Sequence, residues 1–246
     1  MIGRRGALGA LLTTVLAGCS KVAESGSGAS LLGAVERWNL AAQRALGKRT
    51  GLAREFLPED ISPSFRGNGT VKPDGFDYAM HEGAGFAGWR LTVNGLVERP
   101  LSLSLDQLRA LPQRTQITRH DCVEGWSAIG QWTGPQLAHL LRLAGLREEA
   151  RFIVFHCADT LRGVQYYESN DLLDAFHPQT IVAHSLNGEP LPVKNGAPLR
   201  MRIERQLGYK QAKYVSGIEA VASLKGIGQG KGGYWEDRGY QWYAGI

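Results

Sequence analysis

Short segments of the chain alternate apolar and polar residues, and a period of two is typical of β-strands with one buried face. This alternation occurs in WRLTVNGLV (89–97) and again in TQITRHDC (115–122). The apolar run RFIVFHCAD (151–159) is typical of a buried strand. We predict two further strands, at 198–204 and at 214–223.

Two segments carry apolar residues at helical spacing. The first spans 104–111, where Ser104 is a candidate N-cap. The second spans 133–145, where Thr133 is a candidate cap, leucines form a stripe and Gly145 ends the helix. Because strands and short helices mix without a strict βαβ rhythm, the pattern predicts the fold class α+β.

The segment 56–88 differs from its surroundings because it is rich in Gly, Pro, Asn and Asp. This composition predicts mostly irregular structure. A long ordered loop in a compact domain usually has a binding function. We therefore expect this segment to contribute to a site.

The composition is that of a folded globular protein, with 246 residues, 43% apolar and 21% charged. The formal net charge is +5, and no basic stripe is interleaved with aromatic residues, so the chain does not resemble a nucleic-acid-binding protein. A modest positive charge suits a small anionic ligand or an anionic membrane surface. No two of Cys19, Cys122 and Cys157 have C-x-x-C spacing, which excludes a zinc knuckle and a thioredoxin-type motif.

Residues 1–18 have the pattern of a signal peptide, because Arg4 and Arg5 precede an apolar run, Ala7–Ala17, that is too short to span a bilayer. The tetrapeptide LAGC, which ends at Cys19, resembles a bacterial lipobox, in which the cysteine is lipidated after cleavage. An ordinary signal sequence that ends near a thiol is the alternative. The paired arginines resemble a twin-arginine signal, which exports folded proteins.

The pattern divides the mature chain into two regions. Residues 19–55 are predicted to form a lipidated tether with an amphipathic helix at 31–48, which packs on the domain or lies on the membrane. Residues 56–246 are predicted to form the catalytic domain. We expect a periplasmic protein that is anchored to the membrane by its N-terminal lipid.

Cys122 lies among charged residues, in a segment that also contains a tryptophan. Arg119 and His120 favour the thiolate, whereas Asp121 opposes it. A nucleophile, a redox-sensing thiol, a soft metal ligand and a small buried apolar side chain are all compatible with this setting. His120 is close to the thiol in the sequence, but we do not expect it to serve as the base, so a base would have to come from elsewhere. The candidate bases are His139, His156, His177 and His184.

The segment HDCVEGWSAIGQWTG (120–134) resembles the molybdopterin-binding domain of the sulfite oxidase family. In that family a cysteine begins a Cys-Val-x-x-Trp-Ser stretch, and Trp-x-Gly and a leucine-rich helix follow. The block 89–112 is similar to the family's opening strand, turn and short helix. The block 176–215 is similar to its long second signature. The resemblance covers roughly residues 60–235 and implies a sulfite oxidase-type domain with mixed sheets and short helices.

The resemblance implies a molybdenum centre in which one molybdopterin dithiolene and the Cys122 thiolate hold the metal. Arg119 would help to stabilise the thiolate and an anionic substrate or cofactor. At Cys157 some family members have a threonine, so we expect a backbone or packing role there, and a role for His81 stays open. The residues that match the family's cofactor contacts are Asn68, Cys122, Cys157, Asn195, Arg200, Lys210, Gln211, Ala212 and Lys213.

The CVEGWS segment is closest to the periplasmic methionine-sulfoxide reductase catalytic subunits within this family. This resemblance implies reduction of a small sulfoxide or of oxidised methionine in proteins. The chain has no C-x-x-C-H haem-attachment motif, so the expected electron donor is a membrane haem protein or a c-type cytochrome. We expect a monomer without a C-terminal immunoglobulin-like domain.

Three alternatives to sulfoxide reduction are compatible with the sequence. A sulfite dehydrogenase would run the same oxygen transfer in reverse and pass electrons to a cytochrome. A lipoprotein could keep the fold as a non-catalytic binding module. A hydrolase could use Cys122 as a nucleophile with a histidine as its base.

Overall fold

The computed structural model describes residues 51–246 and, before them, positions 30, 33–35, 38 and 40–42. The chain divides into two compact units, Met1–Arg49 and Thr50–Ile246. The described positions of the first unit are helical, and all but position 30 fall within 31–48, where the sequence predicts an amphipathic helix. The predicted signal peptide and the lipidation site at Cys19 lie outside the described residues. None of the helices in the described part of the chain has the length and apolar character needed to cross a bilayer.

The second unit contains strands and short helices in irregular succession, and fold class α+β is confirmed. Its helices are α1 (Phe76–Gly83), α2 (Leu105–Ala110), α3 (Leu137–Ala144) and α4 (Leu172–Ala175). Its strands are β1 (Arg90–Gly95), β2 (Leu101–Ser104), β3 (Gln113–Asp121), β4 (Ser127–Pro135), β5 (Phe152–Leu161), β6 (Val164–Asp171), β7 (Ile181–Ala183), β8 (Ser185–Leu186), β9 (Glu189–Pro190), β10 (Arg200–Arg202) and β11 (Val215–Val221).

The larger sheet has the strand order β2-β1-β11-β5-β6. Strands β1 and β11 are parallel, and the other neighbours are antiparallel. The apolar face of α3 supplies Leu137, Leu140 and Leu141 to the main core, together with Leu91 and Ile153 from the sheet. Burial of these side chains stabilises the domain by roughly 1.5–3 kcal/mol each.

The smaller sheet, with the order β3-β4-β8-β9, lies beside the two-stranded pair of β7 and β10. Trp132 of β4 is fully buried in a second apolar cluster. The guanidinium groups of Arg200 and Arg202, both on β10, lie 5.1 Å and 4.4 Å from its ring centroid. The tryptophan thus provides an aromatic face for two buried cations.

The predicted strands all occur, with bounds that differ by a few residues. The predicted cap of the first helix is also confirmed, because Ser104 Oγ accepts from the Gln107 backbone N–H at 3.1 Å. The start of the second helix was wrong. Thr133 does not cap it, because β4 continues to Pro135 and Thr133 pairs with Thr115 in the sheet.

The segment 56–88 is irregular only in part. It contains a 3₁₀ turn, Pro58–Asp60, and the helix α1, which begins where the run of Gly and Pro ends at Gly75. The ring of Tyr78 on α1 is buried against other aromatic rings and donates to the Ala197 carbonyl at 2.7 Å. Tertiary packing therefore fixes a helix that the composition did not indicate.

Candidate active site

Cys122 lies in the tight loop that joins β3 to β4. Its backbone N–H donates to the Trp126 carbonyl at 2.9 Å, and its carbonyl accepts from the Gly125 N–H at 3.0 Å. Gly125 has a φ of 83°, a left-handed conformation that favours glycine. Backbone bonds on both sides of the loop therefore hold the position of the thiol.

The Cys122 thiol is largely buried, and the Asn68 side-chain amide contacts it at 3.6 Å from Nδ2 to Sγ. Burial is the main influence and raises the pKa of the thiol, and the negative charge of Glu124 adds to this effect. A backbone hydrogen bond at Glu124, the Asn68 amide and the charge of Arg66 lower the pKa. Without a metal the thiol is therefore not an activated nucleophile.

The structure does not bring Arg119 to the thiol, contrary to the role predicted from its position in the sequence. Its side chain is 55% exposed and donates from Nε to Asp121 Oδ2 at 3.0 Å. It borders a separate surface cleft with Arg54 and Glu204. The reason is the strand geometry of β3, which places successive side chains on opposite faces.

His120 is buried in the core on the opposite face of β3 from Arg119. Its Nδ1 lies 3.3 Å from Gln211 Oε1 and 3.1 Å from Arg202 Nη1. Burial, Arg202 and Arg200 lower its pKa well below the usual value, so the ring is neutral. His120 therefore adds no positive charge beside the thiol.

A cavity of about 710 Å³, including its opening to solvent, lies beside Cys122. The residues that line it are Asn68, Gly69, Thr70, Cys122, Val123, Glu124, Asp159, Leu161, Tyr166, Arg200, Gly208, Tyr209, Gln211, Lys213, Trp235 and Tyr240. The cavity thus brings together Asn68, Cys122, Arg200, Gln211 and Lys213 of the residues predicted from sequence.

Arg200 gives this cavity a buried positive charge. Its Nη1 donates to the Asn195 carbonyl at 3.0 Å, whereas its Nε has no hydrogen-bond partner among the described residues. Burial, followed by the charge of Arg202, lowers the pKa of Arg200 to about 9. An unsatisfied, desolvated guanidinium indicates a missing acceptor.

Lys213 is the second cation of the cavity. Its Nζ donates to the Asn68 carbonyl at 2.6 Å and also to the Thr70 carbonyl. Burial, followed by repulsion from Arg200, lowers the pKa of Lys213 to about 7. Two cations that repel each other in a desolvated cavity favour the binding of an anionic ligand.

Asn195 and Ala212 are buried next to the cavity without lining it. The Asn195 amide donates to the Arg66 carbonyl at 3.2 Å and thus holds the loop that carries Asn68. The Ala212 carbonyl accepts from the Met201 N–H at 2.8 Å. Both residues support the walls of the site from behind.

Lys210, which the resemblance places among the cofactor contacts, does not line the cavity. Its ammonium is fully buried and pairs with Glu168 Oε2 at 2.6 Å and with Glu236 Oε1. A buried lysine needs such partners, and the two carboxylates hold it inside the protein. Lys210 therefore binds these two side chains inside the protein.

Cys157 and His81 lie together in a different place. Both border a shallow groove that also contains Trp89 and does not include Cys122. Cys157 belongs to the main core, where burial raises the pKa of its thiol well above the usual value. The structure thus gives Cys157 a packing environment, whereas His81 packs edge-on against Trp89 at 5.2 Å.

Several lining residues were not identified from the sequence. Asp159 is buried, its Oδ1 has no partner among the described residues, and burial raises the pKa of its carboxyl. Its position at the end of an apolar strand could have indicated a site. The aromatic residues Trp235 and Tyr240 also line the cavity, and the dense aromatic segment 234–243 was the available signal.

These residues fit the molybdopterin that the sequence resemblance implies. Cys122 offers a soft sulfur ligand, which suits molybdenum. Arg200 has a free donor and lies near Lys213, which suits an anionic phosphate tail. Asp159 and Gln211 add polar groups that can bind the pterin.

Comparisons with known proteins agree with the cofactor that the sequence resemblance implies. Residues 80–225 match the family described as oxidoreductase molybdopterin binding domain. A protein of Azospira oryzae, named as a protein-methionine-sulfoxide reductase subunit, is 38% identical over 237 residues, which cover 94% of this chain and 82% of that protein. The protein-methionine-sulfoxide reductase catalytic subunit of Xanthomonas axonopodis is 36% identical over 147 residues, which cover 55% of this chain and 46% of that relative. The chain therefore spans less than half the length of that catalytic subunit.

A solved structure, the sulfane dehydrogenase SoxCD of Paracoccus pantotrophus, shares the fold with a TM-score of 0.51 at 22% identity. The match covers 56% of this chain and 39% of that chain. The family match spans more than half of the sequence and includes Cys122, Arg200 and Lys213. The chain therefore belongs to the molybdopterin-binding oxidoreductase family and is an oxidoreductase that uses this cofactor.

Proposed function

We propose that this oxidoreductase reduces a sulfoxide, with methionine sulfoxide as the best candidate. The similarity to proteins named as methionine-sulfoxide reductases supports the direction of the reaction. Electrons come from a separate membrane haem protein or c-type cytochrome. The proposal of a separate electron donor rests on the sequence, which has no haem-attachment motif.

The observation that carries the proposal is the shared cavity of Cys122, Arg200 and Lys213. The thiol lies on the same cavity as two desolvated cations and as the aromatic side chains of Trp235 and Tyr240. An anionic cofactor and an organic substrate can therefore bind different sides of the same space.

When bound, the molybdopterin supplies two-electron oxygen-atom transfer, and the net reaction converts a sulfoxide, two protons and two electrons to a thioether and water. Cys122 provides the protein ligand to the metal. The Asn68 amide donates toward Sγ and orients the sulfur. Arg200 and Lys213 bind the anionic part of the cofactor and hold it in place.

The reaction consumes protons, and Asp159 is placed to hold one. Its Oδ1 is buried beside the cavity, and burial raises the pKa of the carboxyl. A carboxyl with a raised pKa takes up a proton more readily than an exposed one and can donate it as water forms. Asp159 is thus the proton donor of the proposed mechanism.

Purified enzyme distinguishes sulfoxide reduction from the alternatives. We expect close to one molybdenum per chain by elemental analysis and oxidation of a reduced viologen dye that depends on methionine sulfoxide. Cys122→Ser is the control and should retain the fold without activity. Sulfite-dependent reduction of cytochrome c, without sulfoxide turnover, would contradict the proposal and favour a sulfite dehydrogenase.

Two further outcomes decide against catalysis of this kind. A protein that contains the pterin but turns over neither sulfoxides nor sulfite would be a binding module. Inactivation by thiol alkylation of a metal-free protein that hydrolyses an ester would indicate a cysteine hydrolase.

We also propose that the enzyme works in the periplasm, tethered by lipid on Cys19 after twin-arginine export. The arginine pair and the LAGC tetrapeptide support this location. A lipid tether would keep the enzyme near a membrane electron donor and raise the effective concentration of both. Cys19→Ala should move the protein from the membrane fraction to the soluble periplasmic fraction, and an unchanged membrane fraction would exclude the lipid anchor.

A further inference from the structure

The segment 226–246 follows the region that matches the family, which ends at residue 225. It nevertheless contributes Trp235 and Tyr240 to the cavity. The two rings lie 5.1 Å apart, and Tyr209 contacts Tyr240 edge-on at 5.2 Å. We call Trp235 and Tyr240 the aromatic wall.

The aromatic wall lies at the opening of the cavity and the cations lie deeper. Tyr240 is 40% exposed and Val123, next to Cys122 in the chain, is 45% exposed, whereas Arg200 is 1% exposed. A molecule that enters from solvent therefore meets apolar and aromatic groups first. Behind them Arg200 is buried and Lys213 is half-buried.

We propose that the aromatic wall binds the organic substituents of the sulfoxide, and that a buried charge cluster of Lys210, Glu168 and Glu236 positions this wall. This inference rests on the proposed function and names the side of the cavity that selects the substrate. The substrate class is a sulfoxide with apolar substituents, because aromatic rings bind thioether and aryl groups favourably.

The charge cluster joins three parts of the chain that border the cavity. Glu168 lies on β6, two residues after Tyr166, and Lys210 ends the turn that contains Tyr209. Glu236 follows Trp235 directly. The side chains of Lys210 and Glu168 are 0% exposed and that of Glu236 is 1% exposed.

Tight packing around the carboxylates supports a positioning role. A Cβ added at Gly233 would lie 2.1 Å from Glu236 Oε2 and 2.7 Å from Glu168 Oε1. Only glycine allows the chain to pass this close to both groups. The ammonium of Lys210 also lies 5.6 Å from the Trp242 ring centroid, so the cluster ties down the end of the segment.

Lys210 bonds to both glutamates of the cluster, to Glu168 Oε2 at 2.6 Å and to Glu236 Oε1. Burial is the largest influence on Glu168 and raises the pKa of its carboxyl well above the usual value, whereas the charge of Lys210 lowers it. Because a buried ion pair is costly to break from one side, each carboxylate position is fixed by the other two groups.

The wall is tested by Tyr240→Ala and Trp235→Ala in the molybdenum-loaded enzyme. We expect KM for methyl phenyl sulfoxide to rise about 5- to 10-fold, with kcat and molybdenum content retained. KM for dimethyl sulfoxide, which lacks the ring, should change less than about 2-fold. Leu173→Ala is the matched control, because Leu173 is also 40% exposed and does not line the cavity.

The positioning role is tested by Glu236→Gln, which removes one charge without changing the shape of the side chain. We expect a rise in KM for methyl phenyl sulfoxide in the same direction as in the wall variants, with molybdenum content retained. Glu82→Gln, which removes an exposed ion pair with Lys72, is the control and should leave KM unchanged. A folded, loaded Glu236→Gln enzyme with unchanged KM would overturn the positioning role.

Should Glu236→Gln not fold, the wall variants decide the inference alone, and unchanged KM values in both would overturn it. Calorimetric binding of methyl phenyl sulfoxide separates this inference from the proposed function. Binding that weakens in Tyr240→Ala, in an enzyme that turns over no sulfoxide, would support the wall and refute the proposed reaction. Sulfoxide turnover, together with binding that Tyr240→Ala does not weaken, would support the proposed reaction and refute the wall.

Discussion

The two sides of the cavity are built by different means. The side that holds Cys122, Arg200 and Lys213 is formed by a hairpin loop and by a strand and loop that belong to the region shared with the family. The aromatic wall comes from a glycine-rich segment beyond that region and is tied down by a buried charge cluster. A cofactor site needs one fixed geometry, whereas the proposed substrate side is built from a separate piece of the chain.

Cys122→Ser gives the largest expected effect and tests the cofactor side. Loss of a group that merely supports a metal ligand costs about 10- to 100-fold, so loss of the ligand itself should cost at least ~100-fold in turnover. The measurement is sulfoxide-dependent dye oxidation together with thermal unfolding, which should be nearly unchanged. Activity within a few-fold of wild type would contradict the assignment of the thiol.

Trp132→Ala tests the packing beneath the cations. The side chain is fully buried, so its loss should destabilise the domain by about 3–5 kcal/mol. Chemical denaturation gives the free energy of unfolding. Trp126→Ala, which removes a half-buried tryptophan from the loop before β4, is the control and should lower the free energy of unfolding by less.

Lys213→Met sharpens the contrast between the two sides, because it should impair cofactor binding and leave substrate recognition intact. We expect about 10-fold weaker retention of molybdenum, since one of two cations is lost. Molybdenum content after dialysis measures this, and KM of the loaded fraction should stay near that of wild type. A rise in KM without loss of metal would place Lys213 on the substrate side instead.

The pH dependence of stability tests His177, a residue that lies on neither side of the cavity. Burial lowers the pKa of His177, whose Nε2 lies 3.1 Å from the Gly51 carbonyl. Because the pKa is lower in the folded state, the unfolded chain protonates this imidazole at a higher pH than the folded chain does. The stabilising contribution is therefore present above about pH 6.5 and is lost as pH falls through the lower folded pKa.

His177→Gln should therefore flatten the fall in Tm as the pH decreases below about 6.5. Differential scanning calorimetry across this range is the measurement. A variant that loses Tm as steeply as wild type would exclude His177 as a contributor.

Arg119→Ala has the smallest expected effect. The side chain is exposed and turned away from Cys122, so turnover should change less than about 2-fold. A loss of more than 10-fold would show that this arginine reaches the cavity in the working enzyme.

The elements of the fold that are determined by nearby residues in the sequence were predictable. The strand β5 and the Ser104 cap follow from periodicity and from a side chain that bonds its own helix. The end of β4 was not predictable, because Thr133 can cap a helix or pair in a sheet, and only its partner Thr115 decides.

The candidate site was predictable in part, through the resemblance. Motif order identified Cys122, Asn68 and Arg200, which line one cavity. Motif order does not report the direction of a side chain, and the alternation of β3, which separates Arg119 from Cys122, is the signal that it left out. It also could not show that the partners of Lys210 are two glutamates distant in sequence, because only the folded chain brings these groups together.

Lys213 connects the filling of the cavity to the loop that touches the thiol. An ammonium has three N–H bonds, and its nitrogen lies within reach of three carbonyls, those of Asn68, Thr70 and Lys194. An anion that enters beside it must displace one of them, and the Lys194 contact, at 3.4 Å, is the weakest. Arrival of the phosphate would then release the Lys194 carbonyl while the contacts to Asn68 and Thr70 remain, so that protease susceptibility of the backbone at Lys194 reports whether the enzyme has been loaded.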